Sequence, residues 1–149
     1  MSDKLRVGVI GCGGIAQMMH LPTFAERPDL FEVVAIADIS EAVLHAVGDR
    51  YHVTERSRDF RDVANNPSVD AVFVLSSGRH DAALAAAYDA GKHVFVEKPL
   101  GFGRPETEKL AALARAARGF TMVGYHKRFD PAYLAACTLV RSMPDLRYV

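Results

Sequence analysis

The sequence predicts an α/β protein, a doubly wound and mostly parallel sheet with helices on both faces. Three observations carry this. Apolar, β-rich runs alternate with helical patterns from end to end. The runs are almost continuously apolar, as in a sheet covered on both sides. The stretches between them suit the helices of right-handed βαβ crossovers.

Leu5-Arg6-Val7-Gly8-Val9-Ile10 reads as a first strand, stopped by glycines. A helix follows from Ile15 to about Ala25, with Pro22 predicted to kink or break it. Phe31 to Asp38 is a second strand, and Ser40 is placed to cap a helix opening at Glu41. Tyr51-His52-Val53 reads as a minor strand. Val69 to Leu75 is the third main strand. Asp81 to Ala90 is an alanine-rich helix that Gly91 ends. His93 to Val96 is the fourth main strand. Pro105 to Arg118 is a helix with proline near its first position and Gly119 beyond its last. Its Leu110, Leu113, Ala114 and Ala117 recur at helical spacing and are predicted to face the sheet. Thr121 to Gly124 is a short fifth strand, Pro131 to Ser142 another helix, and Asp145 to Val149 the start of a further strand.

With 149 residues, 50% of them hydrophobic and 24% charged, the chain suits one self-sufficient globular domain spanning 1–149. Eighteen basic residues balance eighteen acidic ones. That neutrality gives no overall pull on nucleic acid or an anionic membrane. Cys12 and Cys137 are too few for a disulfide framework or a thiolate metal site, so no metal is expected. No signal peptide is legible, and no apolar stretch reaches the roughly 18 residues of a membrane span. A soluble cytoplasmic protein is the expectation.

Gly11-Cys12-Gly13-Gly14-Ile15-Ala16 joins the first strand to the first helix and fits G-x-G-x-x-A. Gly11 suits a tight turn, Gly13 lets the backbone approach a pyrophosphate, and Ala16 lets the helix pack close to the strand. The helix N-terminus around Gly14 and Ile15 offers N–H groups and a positive dipole end to phosphates. Asp38 ends the second strand about 20 residues beyond Ala16, where an acid binds a ribose 2′-hydroxyl. Together these predict a Rossmann-type dinucleotide-binding fold. The competing reading, in which the glycines only close a turn and Asp38 only caps a helix, leaves the joint spacing unexplained.

A carboxylate at Asp38 repels a 2′-phosphate, and no arginine directly follows it, so NAD is favoured over NADP. Arg50, Arg56 and Arg58 remain candidates to come within reach. Cys12 lies at a helix N-terminus, which lowers a thiol pKa. A small side chain filling the loop is nevertheless the favoured reading over a redox role.

Lys98 follows the fourth main strand, and ligands of open α/β sheets bind beyond the carboxyl ends of strands. A lysine there can hold a hydroxyl or carbonyl oxygen and stabilise negative charge during hydride transfer. On residue type alone, a solvated lysine at a strand end is the favoured reading.

G-x-G-x-x-A, the run Gly91-Lys92-His93-Val94-Phe95-Val96-Glu97-Lys98-Pro99 and the run from Gly124 to Pro131 together resemble the glucose–fructose oxidoreductase/inositol dehydrogenase (Gfo/Idh/MocA) family. The resemblance covers nearly the whole chain. It implies an NAD(P)-dependent oxidoreductase acting on CH–OH groups or the matching carbonyls of sugar- or polyol-like substrates. It implies that Glu97 and Lys98 lie by cofactor and substrate, with Lys98 the catalytic residue. It extends the cofactor site to Ser76, Ser77, His80 and Arg128. Two departures stand out: Leu75-Ser76-Ser77 replaces Thr-Pro-Asn, and His126 stands where asparagine is usual. His80 reads as a structural residue opening a helix in preference to an acid or base.

The same resemblance implies a second, C-terminal substrate domain, with a catalytic Asp and His and often the oligomer interface. Those residues lie outside this sequence, so the 149-residue chain is expected to bind cofactor with little or no turnover. Homo-oligomerisation through exposed apolar surface is a further expectation. The rival reading is a nucleotide-binding module or sensor without catalysis. Short-chain dehydrogenases and CoA-binding domains are weaker rivals, the latter because they leave Glu97-Lys98-Pro99 unexplained.

Overall fold

A computed structural model describes residues 4–143. Six strands form one sheet, all pairs parallel: β1 (Leu5–Ile10), β2 (Phe31–Ala37), β3 (Glu55–Ser57), β4 (Ala71–Val74), β5 (His93–Val96) and β6 (Thr121–Val123). Their spatial order is β3-β2-β1-β4-β5-β6. The chain winds outward from β1 through β3, then crosses back to β4 and winds the other way. The reversal between β1 and β4 opens a crevice at the carboxyl ends of those strands.

Six helices flank the sheet: α1 (Leu21–Glu26), α2 (Glu41–Tyr51), α3 (Phe60–Asn65), α4 (Asp81–Asp89), α5 (Arg104–Ala116) and α6 (Pro131–Arg141). Successive side chains point to opposite faces of the sheet, and because both faces are covered, consecutive residues of the central strands are buried. Val7, Val9 and Ile36 face Leu21, Phe24, Leu44 and Val47 of α1 and α2. Val72, Val74, Val94 and Val96 face Val63, Leu84 and Leu110 of α3, α4 and α5. Gly8 lets α3 lie close to the central strand, since a Cβ there would stand 2.6 Å from Val63 Cγ1.

Four local expectations change. Pro22 does not break the first helix, which runs through 14–26. A π-helical turn over Ala16–His20 precedes it, in which the Leu21 N–H reaches the Ala16 carbonyl. Proline provides no N–H for the Met18 carbonyl and crowds it, and the widened turn absorbs both effects. The minor strand is Glu55–Ser57, not 51–53: Tyr51 ends α2 and His52 turns the chain at φ 57°. Helix α3 is unanticipated; its single turn and a half is too short to show a period. On α5, Leu110 is buried and Ala114 and Ala117 pack on the core, but Leu113 is exposed. The strand expected over 145–149 lies outside the described residues.

Candidate functional site

A cleft of about 640 Å³ opens at the crevice between β1 and β4. Gly11, Gly13, Gly14, Ile15, Asp38, Ser76, Ser77, Glu97 and Lys98 line it, so the structure brings most of the predicted site together. Three predicted residues do not line it. Ala16 is fully buried behind the loop, where its small size lets the helix close on the sheet. His80 is buried, and its Nε2 lies 2.8 Å from the Ser76 carbonyl, so the ring holds the serine loop from behind. That bond makes Nε2 the donor and leaves Nδ1 without a partner among the described residues. Arg128 is exposed on a 3₁₀ turn over His126–Phe129, with its guanidinium 5.8 Å from the Phe129 ring centroid, and it does not line the cleft.

The glycine loop has the shape its composition implies. Gly11 sits at φ +91°, and a Cβ there would strike the backbone of Ser76. A β-carbon is therefore excluded twice, by backbone conformation and by space. At Gly13 and Gly14 a Cβ would meet nothing within 4 Å, so this backbone faces open cleft. The first N–H groups of the helical run have no partner within the helix. The cradle is thus bare peptide with a positive dipole end, and its donor set fits the pyrophosphate of a dinucleotide.

Asp38 fixes this loop as well as lining the cleft. Its Oδ2 accepts the Cys12 N–H at 2.8 Å and its Oδ1 the Ser40 N–H at 2.9 Å. Capping and ligand recognition are therefore compatible here, because each carboxylate oxygen keeps a lone pair. Cys12 is fully buried, and its thiol is pushed up to about 12 by desolvation first and the Asp38 charge second. Burial overrides the helix N-terminus, so Cys12 is a packing residue.

At the other end, Glu97 is held in place. Its Oε1 meets His20 Nε2 at 2.9 Å and its Oε2 accepts the Lys98 N–H at 3.1 Å. His20 is itself packed on Phe24, Phe73 and Phe95. The turn then passes through a cis Lys98–Pro99 peptide. Lys98 itself is exposed and forms no ion pair among the described residues. Asp38 and Lys98 follow β2 and β5, three strand spacings apart, or about 14 Å.

Sequence reasoning missed Phe60 and Arg79, which also line the cleft, and named Arg58 only as one of three arginines that could come within reach of Asp38; it is the one that does line the cleft. Arg79 is neutralised by Asp81 at 3.1 Å and Glu106 at 3.2 Å. Once β3 is placed at Glu55–Ser57, Arg58 stands at the carboxyl end of a strand, the same signal that singled out Lys98. The other two arginines near Asp38 in sequence go elsewhere. Arg50 lies over the Tyr51 ring, and Arg56 pairs with Asp49 at 2.8 Å.

Residues 5–125 match the oxidoreductase family with an NAD-binding Rossmann fold, Gfo/Idh/MocA. The chain belongs to that family. An inositol 2-dehydrogenase of Acidothermus cellulolyticus is 34% identical over 93% of the chain, and an oxidoreductase of Bacillus subtilis 30% identical over 95%. In each case the chain spans 41% of the relative's length. The scyllo-inositol dehydrogenase of Lactobacillus casei, solved with NAD(H) and scyllo-inositol, superposes with a TM-score of 0.84 at 30% identity, covering 93% of this chain and 41% of that one. A 3-ketoreductase of Actinomadura kijaniata, solved with NADP and TDP-benzene, gives 0.83 at 32%, covering 93% and 44%. The family's NAD-binding Rossmann fold is the six-stranded sheet described above, and the two solved neighbours hold NAD(H) and NADP respectively. Among the described residues no helix is long and apolar enough to cross a membrane, and no cluster of metal-ligating side chains is present.

Proposed function

We propose that 1–149 is one dinucleotide-binding domain of an oxidoreductase that moves a hydride between a nicotinamide cofactor and a sugar- or polyol-like alcohol or ketone. The observation that carries this is the single cleft shared by the bare glycine cradle, Asp38 and Lys98. The cofactor, when bound, supplies the hydride acceptor or donor. The chain's own residues bind and orient it. Backbone N–H groups from Gly13 to Ile15 hold the pyrophosphate, Asp38 the adenosine ribose, and Ser76 and Ser77 border the middle of the cleft. Lys98, about 14 Å from Asp38 by strand count, presents its ammonium to a substrate oxygen and stabilises charge developing there. Glu97, tied to His20, orients the turn that carries Lys98. No described side chain accepts a hydrogen bond from the Lys98 ammonium. The proton acceptor that alcohol oxidation needs within hydrogen-bond reach is expected from residues beyond this chain. The 149 residues alone should therefore bind nucleotide with little turnover. Small sugar- or polyol-like molecules are the substrate class. The two free cysteines suit a cytoplasmic location, and self-association is treated in the Discussion.

Calorimetric titration with NADH and ADP-ribose tests this reading. Both are expected to saturate one site. Asp38→Ala should weaken both by about tenfold, the worth of a charge-assisted hydrogen bond. Lys98→Ala should shift NADH relative to ADP-ribose, which lacks the nicotinamide. Absence of saturable heat with either ligand would sink the reading.

A further inference from the structure

Resting on the reading of the cleft as a dinucleotide site, we propose that Arg58 is a 2′-phosphate-binding residue and that the domain accepts NADP as well as NAD. Asp38, taken by itself, points to NAD alone. The structure places a cation beside it that the acid's own strand does not supply. Arg58 lines the same cleft as Asp38 and Ile39, and its Nε donates to the Ile39 carbonyl at 3.2 Å. That bond anchors the guanidinium on the turn between Asp38 and Ser40, one residue along from the acid assigned to the ribose.

The remaining guanidinium N–H groups have no partner among the described residues. Guanidinium carries five N–H donors in a planar fork, and one of them is used. The acids close to Arg58 in the chain have other partners: Asp59 pairs with Arg61 at 3.3 Å, and Asp62 accepts the Ser57 hydroxyl at 2.6 Å. No ion pair of Arg58 occurs among the described residues. Arg79, the cleft's other arginine, has its charge matched by Asp81 and Glu106.

Asp38 is meanwhile a weakened repeller. Both its oxygens accept backbone N–H groups, from Cys12 and Ser40. Those donors spread its negative charge before any ligand arrives. The pair Asp38 and Arg58 has no net charge, so a 2′-phosphate entering between them meets a fork that matches its oxygens. A 2′-hydroxyl can still donate to Asp38. Glu41, in the first turn of α2 three residues past Asp38, is exposed and its carboxylate lies 3.9 Å from His45 Nε2, while Glu97, the cleft's other acid, is tied to His20 at the far end.

The test is a titration of the chain and of Arg58→Ala with NADH, NADPH, 2′,5′-ADP and 3′,5′-ADP. The wild-type chain should bind NADH and NADPH within about tenfold of each other, and 2′,5′-ADP more tightly than 3′,5′-ADP. Arg58→Ala should lower the NADPH-to-NADH affinity ratio by about 10- to 100-fold, the range for hydrogen bonds to a charged group. Arg58→Lys should restore part of it, and circular dichroism confirms that each variant is folded. Binding of NADH without NADPH overturns this proposal and leaves the dinucleotide site standing. Equal loss of both cofactors in Arg58→Ala overturns it as well, by making Arg58 a general support of the cleft. Binding of neither by the wild-type chain removes both readings.

Discussion

Cys12 shows how one side chain's environment decides its chemistry. Its position at the start of a helix argues for a thiolate, and its burial argues against one. Burial wins, because the helix offers partial charges while desolvation acts on a whole one. With the thiol pushed up to about 12, Cys12 stays protonated at pH 8. Cys137, half-buried on α6, has no such shield. Ellman's reagent at pH 8 is therefore expected to titrate one thiol in the native chain and two in guanidinium chloride. Rapid reaction of both in the native state would show that the loop opens and that Cys12 is not a packing residue.

Between elements, the Arg6–Asp70 pair joins β1 to the approach of β4, at the end of the sheet away from the cleft. Arg6 donates its backbone N–H, its Nε and its Nη2 to the Asp70 carboxylate, the last at 2.6 Å. The guanidinium hydrogen bonds are the main reason the Asp70 carboxyl titrates below its ordinary value. A carboxyl with a depressed native pKa favours the folded state above its unfolded pKa of about 3.9 and loses that advantage as pH falls through the native value. Asp70→Asn should thus lower the urea midpoint at pH 7, by a modest amount because the pair is exposed to solvent. The two midpoints should draw together on acidification below about pH 4. A difference that persists at pH 2 would point to lost packing instead of lost charge. At this scale the sequence was legible where elements were long and bounded. The glycine stops after β1 and α4, the Ser40 cap and the five main strands stand close to where their residues put them. What escaped was short or set by tertiary contact. Glu55–Ser57 carries no apolar run, being an edge strand paired only to β2. Helix α3 depends on Val63 finding the space that Gly8 leaves. Those two misses removed Phe60 from view and left Arg58 undistinguished from Arg50 and Arg56, whereas Asp38 and Lys98 followed main strands and were found. His80 and Arg128 had matching positions along the chain, but their side chains are set by packing and exposure that chain position does not encode.

The whole molecule is unevenly covered. The sheet is sandwiched from β3 to β5, yet the last elements contribute apolar side chains without burying them. No residue of α6 is buried, and Tyr133, Leu134 and Leu139 are each at least half exposed. Tyr125 and Phe129, just ahead of α6, are also at least half exposed. Single exposed apolar residues are ordinary, but five within fifteen positions on one terminal segment form a surface that water disfavours. With zero net formal charge, long-range repulsion between copies is weak. The isolated chain is therefore expected to self-associate as its concentration rises, through α6. Sedimentation velocity should show the weight-average mass climbing between low and high micromolar concentration. Leu134→Lys together with Leu139→Lys should return it to monomer, and NADH affinity should be unchanged because α6 lies outside the cleft. A wild-type chain that stays monomeric across that range would mean that the helix covers its apolar residues by folding back on the domain. A double variant that still associates would move the contact to another face, with the exposed Met18 and Met19 of the first helix the next to be substituted.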